Sequence, residues 1–139
     1  MSDSPFVILI SGSSGVGKTT LTRIIQAVLG EQNTVTVSGD DMHRWERSDP
    51  NWKVLTHLDP NANDLELNHS HIKSLSEGVS ISRRHYNHDT GVFDAPAITE
   101  PKKNILYEGL HALYHEPTTR LATLKIFVDT DETLKTGVS

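Results

Sequence analysis

Short apolar runs alternate along the chain with segments in which apolar residues recur at helical spacing. The run FVILI, residues 6–10, is continuous rather than alternating, which is typical of a strand buried on both faces. The runs ILY, residues 105–107, and IFV, residues 126–128, have the same character. Strands of this kind separated by helices indicate βα units around a mostly parallel sheet. We therefore predict an α/β fold.

Two longer segments predict the main helices. In residues 19–29 the apolar positions follow helical spacing, and Gly30 is a suitable end. These positions are Leu21, Ile24, Ile25 and Val28. A second helix is expected to begin with Asn63 or Asp64 as its cap and to end at Gly78. Its predicted buried residues are Leu65, Ile72 and Leu75.

The remaining segments predict smaller elements. The turn residues in YNHDTG predict a link between two short strands, between Ile81 and Phe93, that lie outside the main sheet. A third helical stretch is expected over residues 118–124, directly before the last strand.

Composition narrows the class of protein without naming a function. With 139 residues and 35% apolar content, residues 1–139 are expected to form a single domain with a real core. The net charge of −5 lacks the basic excess of a nucleic-acid-binding protein. The absence of cysteine is in keeping with a reducing, cytoplasmic setting. The longest apolar run is too short to span a bilayer, so neither nucleic acid nor a membrane is an expected partner.

The strongest chemical signal is the segment GSSGVGKT, residues 12–19, which lies between the first predicted strand and the first predicted helix. Its glycines let successive backbone N–H groups surround a phosphate, the following helix start adds positive potential, and Lys18 can reach the outer phosphates. The Thr19 hydroxyl is a candidate ligand for Mg²⁺. The pattern predicts binding of a nucleoside triphosphate. The residues predicted to bind it are Gly12, Ser13, Ser14, Gly15, Val16, Gly17, Lys18, Thr19 and Thr20.

Two acidic sites follow predicted strands. Glu108 comes directly after NILY, at a strand's carboxyl end, where ligands collect in open α/β sheets, and it could hold a metal opposite Thr19. The segment SGDDMHRWER, residues 38–47, follows the run TVTV and combines acids with two arginines. It supplies proton acceptors, Asp40 and Asp41, next to cations that could bind an anionic acceptor.

Six segments, in this order, resemble the phosphoribulokinase and uridine kinase family of P-loop small-molecule kinases over almost the whole chain. They are GSSGVGKTT, DDMHRWER, HLDPNANDLEL, RRHYNHDTGVF, ILYEGLHALY and IFVDTDETL. The resemblance implies a P-loop NTPase fold of three layers, α/β/α, with ATP and Mg²⁺ as cofactors and a small molecule as the phosphate acceptor.

The resemblance also assigns roles to individual residues. Asp40 matches the base that takes the proton of the acceptor hydroxyl, with Asp41 as the competing candidate. Glu108 matches the Mg²⁺-associated glutamate, and Lys18, Asp40 and Glu108 are the expected catalytic residues, with Thr19, Glu108 and Asp40 near the metal. The expected substrate-binding residues are Asp41, His43, Arg47, Tyr86 and His88.

The acceptor stays open between two classes. Arg47 favours a sugar phosphate, since guanidinium binds phosphate monoesters with two aligned hydrogen bonds, and the segment resembles the phosphoribulokinase branch. A nucleoside is the alternative, with Asp59 near the position that reads it in uridine kinases. In the family, the pattern continues after the strand matching IFVD with a lid and a last edge strand, and the resemblance implies that residues 1–139 lack both. A truncated chain, a partner subunit that completes the site, and a nucleotide-binding module without efficient turnover are then the alternatives, the last of them a function of another class. Without that strand, the edge at residues 125–129 would be open to pairing, which makes a homo-oligomer one of the expected partners.

Overall fold

A four-stranded parallel sheet forms the centre of the computed structural model, which describes residues 5–12, 16–54, 60–87 and 89–128. The order of its strands is β2–β7–β1–β8. These strands are β1 (Phe6–Gly12), β2 (Thr34–Ser38), β7 (Asn104–Gly109) and β8 (Leu124–Val128). Four shorter strands lie outside this sheet: β3 (Ile81–Arg83), β4 (Tyr86–Asn87), β5 (Val92–Phe93) and β6 (Ala97–Thr99). The helices are α1 (Val16–Leu29), α2 (Asn51–Val54), α3 (Leu65–Ser76) and α4 (Glu116–Thr119).

The two faces of the sheet bury separate apolar clusters. One cluster lies between the sheet and α3 and includes Leu9, Ile72 and Tyr107. The other lies on the α1 side and includes Ile10 and Leu106. Since β1 contributes alternate residues to both clusters, its continuous apolar run is explained by burial on both faces. The predicted α/β/α layering is confirmed.

Helix α1 is the longest helix of the described residues, at 14 residues, and it begins closer to the glycine loop than the apolar spacing predicts. Leu21, Ile25 and Leu29 pack against the sheet. Ile24 and Val28, which share the helical spacing, are 54% and 79% exposed. None of the helices in the described ranges combines the length and the apolar character needed to cross a membrane.

Helix α3 follows its prediction closely. The Asp64 carboxylate accepts a hydrogen bond from the Leu67 N–H at 3.0 Å, which is the expected N-terminal cap. Ile72 and Leu75 are fully buried, whereas Leu65 is only half-buried. The buried stripe of this helix also contains two polar residues, Asn68 and His71.

A helix precedes the last strand as predicted, but its predicted bounds, residues 118–124, are wrong. Helix α4 covers only Glu116–Thr119, and β8 already begins at Leu124. Thr123 ends the helical stretch because it is bound to the neighbouring strand: its N–H donates to the Val7 carbonyl at 2.7 Å, and its hydroxyl accepts from the Val7 N–H at 3.1 Å. Hydrogen bonding to the sheet therefore ends the helix before Leu124, although the apolar pattern of this segment is still that of a helix.

The short strands form two antiparallel pairs. β3 pairs with β6, and β4 pairs with β5 through the turn that YNHDTG predicts. This confirms the two short strands outside the main sheet and places Tyr86 opposite Phe93.

Gly12 sets the distance between the start of the glycine loop and the edge strand. A Cβ atom at this position would lie 2.5 Å from the Val128 carbonyl oxygen, and the residue has a φ of +153°. We expect Gly12→Ala to lower the free energy of unfolding by about 1–3 kcal/mol, because β8 must move away. Urea denaturation measures this; Gly78→Ala is the comparison, since Gly78 also has a positive φ but nothing lies within 4 Å of its added Cβ. Equal losses in the two variants would show that contact with β8 is unimportant.

Candidate functional site

The candidate site lies where three parallel strands end at one edge of the sheet. β1 leads into the glycine loop, β2 leads to Asp40, and β7 carries Glu108. In the registers of the sheet, Glu108 is aligned with Ile10 on one side and with Ser38 on the other. Parallel pairing thus brings the phosphate loop and both acidic segments to the same edge.

Lys18 and Glu108 form an ion pair at this edge. The Lys18 Nζ lies 3.5 Å from Glu108 Oε1, and the two side chains are 10% and 23% exposed. Lys18 is in the first turns of α1, where the Thr22 hydroxyl donates to its carbonyl at 2.8 Å. A buried ammonium and a carboxylate are therefore available to phosphate oxygens and to a cation, respectively.

The other residues of the phosphate loop are only partly described. Thr19 and Thr20 are exposed in the first turns of α1, and Gly17 is half-buried. Residues 13–15 lie outside the described part of the chain. The predicted metal ligands Thr19, Asp40 and Glu108 lie on three elements that meet at this edge, α1, the turn after β2, and β7. Their side chains carry hard oxygen atoms, the kind of ligand that Mg²⁺ prefers.

Two glycines let the ends of β2 and β7 approach closely. A Cβ atom at Gly109 would lie 3.2 Å from the Gly39 Cα. A Cβ atom at Gly39 would lie 3.3 Å from the Tyr107 ring. Gly39 directly precedes Asp40, so the Tyr107 ring supports the backbone that carries this carboxylate. The pocket next to Asp40 is lined by Gly39, Asn63, Leu65, Tyr107, Leu110 and His111.

Asp40 and Asp41 are neighbours with different surroundings. Both lie in the 3₁₀ turn Gly39–Met42, where the Asp40 N–H donates to the Ser38 hydroxyl at 3.2 Å. Asp40 is exposed, whereas Asp41 is 4% exposed. The Asp41 carboxylate accepts from the Tyr86 N–H at 2.8 Å, lies 3.2 Å from His85 Nδ1, and pairs with Arg83. Asp41 therefore connects the turn to β3 and β4.

Arg83 is the largest fully buried side chain in the described part of the protein. Its Nε donates to Asp41 Oδ2 at 3.2 Å, one terminal nitrogen donates to the Ser38 carbonyl at 2.7 Å, and the other lies 3.0 Å from His71 Nδ1. Because guanidinium can only donate, His71 Nδ1 is the acceptor, and the neutral ring carries its proton on Nε2. Burial lowers the pKa of Arg83 from its ordinary value, and Asp41 opposes this change.

Burial also changes the acidity of two residues around Arg83. It raises the pKa of the Tyr107 hydroxyl well above its ordinary value, with Arg83 acting in the opposite direction and Glu108 and Asp40 adding to the rise. Burial lowers the pKa of His71 from 6.5, the Arg83 guanidinium lowers it further, and Asp64 opposes both. His71 is consequently neutral in the folded protein at neutral pH.

This neutral histidine predicts a pH-dependent stability. The unfolded chain binds a proton at His71 near pH 6.5, and the folded chain binds it only at lower pH. The contribution of neutral His71 to the free energy of unfolding is therefore fully present above its unfolded pKa. As pH falls below that pKa, the free energy of unfolding decreases by at most about 1.4 kcal/mol per pH unit. In urea denaturation from about pH 7.5 to about pH 5.5 we expect His71→Gln, which keeps an acceptor for Arg83, to lose stability less steeply than the wild type. His69→Gln, on the same helix, is the control; equal slopes in all three proteins would contradict the expectation.

Aromatic rings pack around the predicted acceptor segment. The His43 ring centroid lies 4.3 Å from that of Trp52, which stacks on Tyr86 at 6.0 Å; Tyr86 in turn meets Phe93 edge to face at 5.4 Å. Trp45 contacts the His43 ring by its edge. His43 is buried and Tyr86 is half-buried. The structure thus joins two predicted acceptor residues through Trp52, which the sequence did not single out.

Arg47 lies against the β4–β5 turn. The backbone N–H of Arg47 donates to the Gly91 carbonyl at 2.8 Å. A Cβ atom at Gly91 would lie 2.9 Å from the side-chain Nε of Arg47. Arg47 is exposed. His88 and Asp59 lie outside the described residues. Five predicted phosphate and acceptor residues thus lie outside the described part of the chain: Ser13, Ser14, Gly15, His88 and Asp59.

Sequence reasoning missed the buried pair of Arg83 and His71, although a signal was present. In α3 the polar residues Asn68 and His71 fall on the same stripe as Ile72 and Leu75. In β3, Arg83 lies on the same face as the buried Ile81, because side chains two apart in a strand share a face. His71 on the apolar face of α3 and Arg83 on the apolar face of β3 were therefore the available indication that two polar side chains meet inside the protein.

Comparison with solved structures defines the class of fold. The chain is similar to phosphoribulokinase from Rhodobacter spheroides with a TM-score of 0.73 and 24% identity, covering 92% of this chain and 52% of that one. With the parallel sheet and the glycine loop between β1 and α1, this likeness shows a P-loop kinase fold.

Sequence comparison shows the family within that class. The sequence model of the Phosphoribulokinase / Uridine kinase family matches residues 7–137. The chain belongs to this family of ATP-dependent kinases. It is 37% identical over 133 residues to a phosphoribulokinase of Synechocystis sp., covering 96% of this chain and 40% of that protein. It is 36% identical over 130 residues to a uridine kinase of Deinococcus deserti, covering 91% of this chain and 63% of that protein.

Proposed function

We propose that the protein is an ATP-dependent kinase that transfers the γ-phosphate to a hydroxyl group of a sugar phosphate. The observation that carries this proposal is the meeting of Lys18 and Glu108, 3.5 Å apart, at the sheet edge where β2 leads to the exposed Asp40. A cation for the phosphates, a carboxylate for the metal and a carboxylate for the proton are the parts that phosphoryl transfer requires.

Each residue has a distinct part in the proposed reaction. Lys18 and the backbone N–H groups of the glycine loop bind the phosphates of ATP. The acceptor oxygen attacks the γ-phosphorus, its proton passes to the Asp40 carboxylate, and the bond to the β,γ-bridging oxygen breaks with its electron pair leaving on ADP. Thr19 and Glu108 would hold Mg²⁺, with Asp40 near it but kept for the proton; the metal would offset the charge on the transferring phosphate.

Exposure favours Asp40 over Asp41 as the base. A base must reach the acceptor hydroxyl, and Asp40 is exposed beside the pocket that it lines with His111. The Asp41 carboxylate is buried and already bound by Arg83 and the Tyr86 N–H. We therefore assign Asp40 to proton transfer and Asp41 to the support of the acceptor segment, rather than to direct contact with substrate.

Arg47 is the proposed contact for the phosphate of the acceptor. It is exposed on the acceptor segment, next to the hairpin that carries Tyr86. We expect Arg47→Ala to raise the KM for a sugar phosphate about 10- to 100-fold, the equivalent of a charged hydrogen bond, with little change in the KM for ATP. Initial rates with each substrate varied in turn measure both constants. Arg23→Ala, an exposed arginine of α1, is the control; an unchanged acceptor KM would contradict the sugar-phosphate assignment.

The proposed activity is tested by ADP release from the purified chain with Mg-ATP. Ribulose 5-phosphate, uridine and no acceptor are compared in parallel. ADP that depends on ribulose 5-phosphate supports the proposal, and a response to uridine alone would favour the nucleoside alternative, for which the uridine kinase of Deinococcus deserti is the relevant relative. If ADP release stays at the level without acceptor while ATP binding is detectable, the remaining interpretation is a nucleotide-binding module.

An ATP-dependent reaction is also in keeping with the cytoplasmic location expected from the sequence.

A further inference from the structure

We propose that Arg83 is a positioning residue for the transfer reaction, because it binds the chain on both sides of Asp40 and thereby fixes the Asp40 carboxylate. This inference rests on the proposed function. It adds a residue that acts through Asp40, with no direct contact to the phosphates or the acceptor.

The hydrogen bonds of Arg83 enclose the short segment that carries Asp40. One terminal nitrogen donates to the carbonyl of Ser38, two residues before Asp40, at 2.7 Å. The Nε donates to the carboxylate of Asp41, the residue after Asp40, at 3.2 Å. Two fixed points three residues apart leave the intervening turn little freedom to rotate, so the direction of the Asp40 side chain depends on the guanidinium.

Net stability alone is a poor explanation for this arrangement. Arg83 and Asp41 are 1% and 4% exposed, and removing a guanidinium from water costs about as much as its ion pair returns. An apolar pair of the same volume would stabilise the core at least equally well. The planar guanidinium offers something else, since its donors fix three acceptors at set angles.

The remaining contacts extend the same arrangement to the acceptor side. The second terminal nitrogen of Arg83 lies 3.0 Å from His71 Nδ1. Since His71 belongs to α3, this contact anchors the guanidinium to that helix. The second oxygen of Asp41 accepts from the N–H of Tyr86 at 2.8 Å. Arg83 thus relates the position of Asp40 to that of the β4–β5 hairpin, where the acceptor is expected to bind.

The variant Arg83→Lys keeps the positive charge but cannot reach three separate acceptors with one ammonium. We expect kcat with ribulose 5-phosphate to fall about 100-fold, as displaced catalytic groups do, while the Kd for Mg-ATP stays within about 2-fold of wild type. Arg120→Lys is the matched control, because Arg120 is an exposed arginine paired with Glu116. A purely structural role would instead lower ATP affinity and stability together with kcat.

A double-mutant cycle identifies Asp40 as the residue through which Arg83 acts. In the Asp40→Asn background, we expect Arg83→Lys to lower the residual kcat less than 3-fold, since there is no longer a base to position. A further 100-fold loss in that background would overturn the inference. If Arg83→Lys does not fold, His71→Leu replaces it in the cycle, because it removes one of the three acceptors and leaves the ion pair in place.

Crystal structures of wild type and Arg83→Lys with Mg-ATP bound separate this inference from the proposed function. Wild-type protein that transfers no phosphate to any acceptor would remove the proposed function, yet the Asp40 position can still be compared. A carboxylate displaced or spread over several positions in Arg83→Lys supports the positioning role. A carboxylate at its wild-type position overturns it, whatever the activity.

Discussion

Replacing Asp40 with asparagine is expected to lower kcat about 10²- to 10⁴-fold and to leave the affinity for Mg-ATP largely unchanged. Asparagine has almost the same shape as aspartate but cannot accept the proton of the acceptor hydroxyl at neutral pH. The proposed phosphate contacts are the glycine loop and Lys18, which lie between β1 and the first turns of α1 rather than in the turn after β2. ATP affinity therefore has little reason to fall. Steady-state rates and calorimetric titration with a non-hydrolysable ATP analogue measure the two effects.

The control for this variant is Asp94→Asn, which neutralises an exposed aspartate that follows β5. It should leave both kcat and ATP binding at wild-type levels. Turnover by Asp40→Asn equal to that of Asp94→Asn would remove Asp40 from proton transfer. Asp41→Asn would then be the next variant to test, although its buried position makes loss of stability the expected outcome.

Replacing Lys18 with methionine is expected to weaken Mg-ATP binding about 10- to 100-fold and to lower kcat as well. Methionine preserves the length of the apolar stem but removes the ammonium, and charged hydrogen bonds contribute about 1.5–3 kcal/mol each. The Glu108 carboxylate would also lose its cation at 3.5 Å. Calorimetric titration gives the affinity, and ADP release gives the turnover.

Lys73→Met is the matched control, since Lys73 forms an ion pair with Glu77 on the exposed face of α3. Its pair is exposed at both ends, so the change should have little effect on stability and none on ATP affinity. Unaltered ATP affinity in Lys18→Met would contradict the assignment of residues 12–19 as the phosphate-binding loop.

The main elements of the fold were predictable because local pattern and tertiary packing agree there. The continuous apolar run of β1 indicated burial on both faces, and Asp64 indicated the start of α3. The predicted bounds of the last helix, residues 118–124, were wrong because Thr123 is bound to Val7, a contact 116 positions away that no local pattern contains. The exposure of Val28 has a similar cause, since helical spacing does not specify which apolar positions the sheet covers.

The candidate site was predictable where motif and topology coincide. Lys18 was expected at the end of the glycine loop that follows the first strand, and Glu108 at a strand end. Parallel pairing of β1 and β7 brings the two together. The different surroundings of Asp40 and Asp41 could not be predicted, because adjacent acids have the same composition and only the fold buries one of them. The role of Arg83 was hidden for the same reason: its partners Ser38 and Asp41 precede it by more than 40 residues.

The most direct test of phosphate transfer is a single-turnover experiment with ATP labelled in the γ-phosphate, protein in excess and ribulose 5-phosphate as the acceptor. It follows the label itself and therefore separates transfer to the acceptor from hydrolysis. We predict that the label appears on the sugar phosphate in the wild type, and at a rate at least about 100-fold lower in Asp40→Asn. Label that stays in ATP or appears only as inorganic phosphate would contradict a kinase that acts on this acceptor.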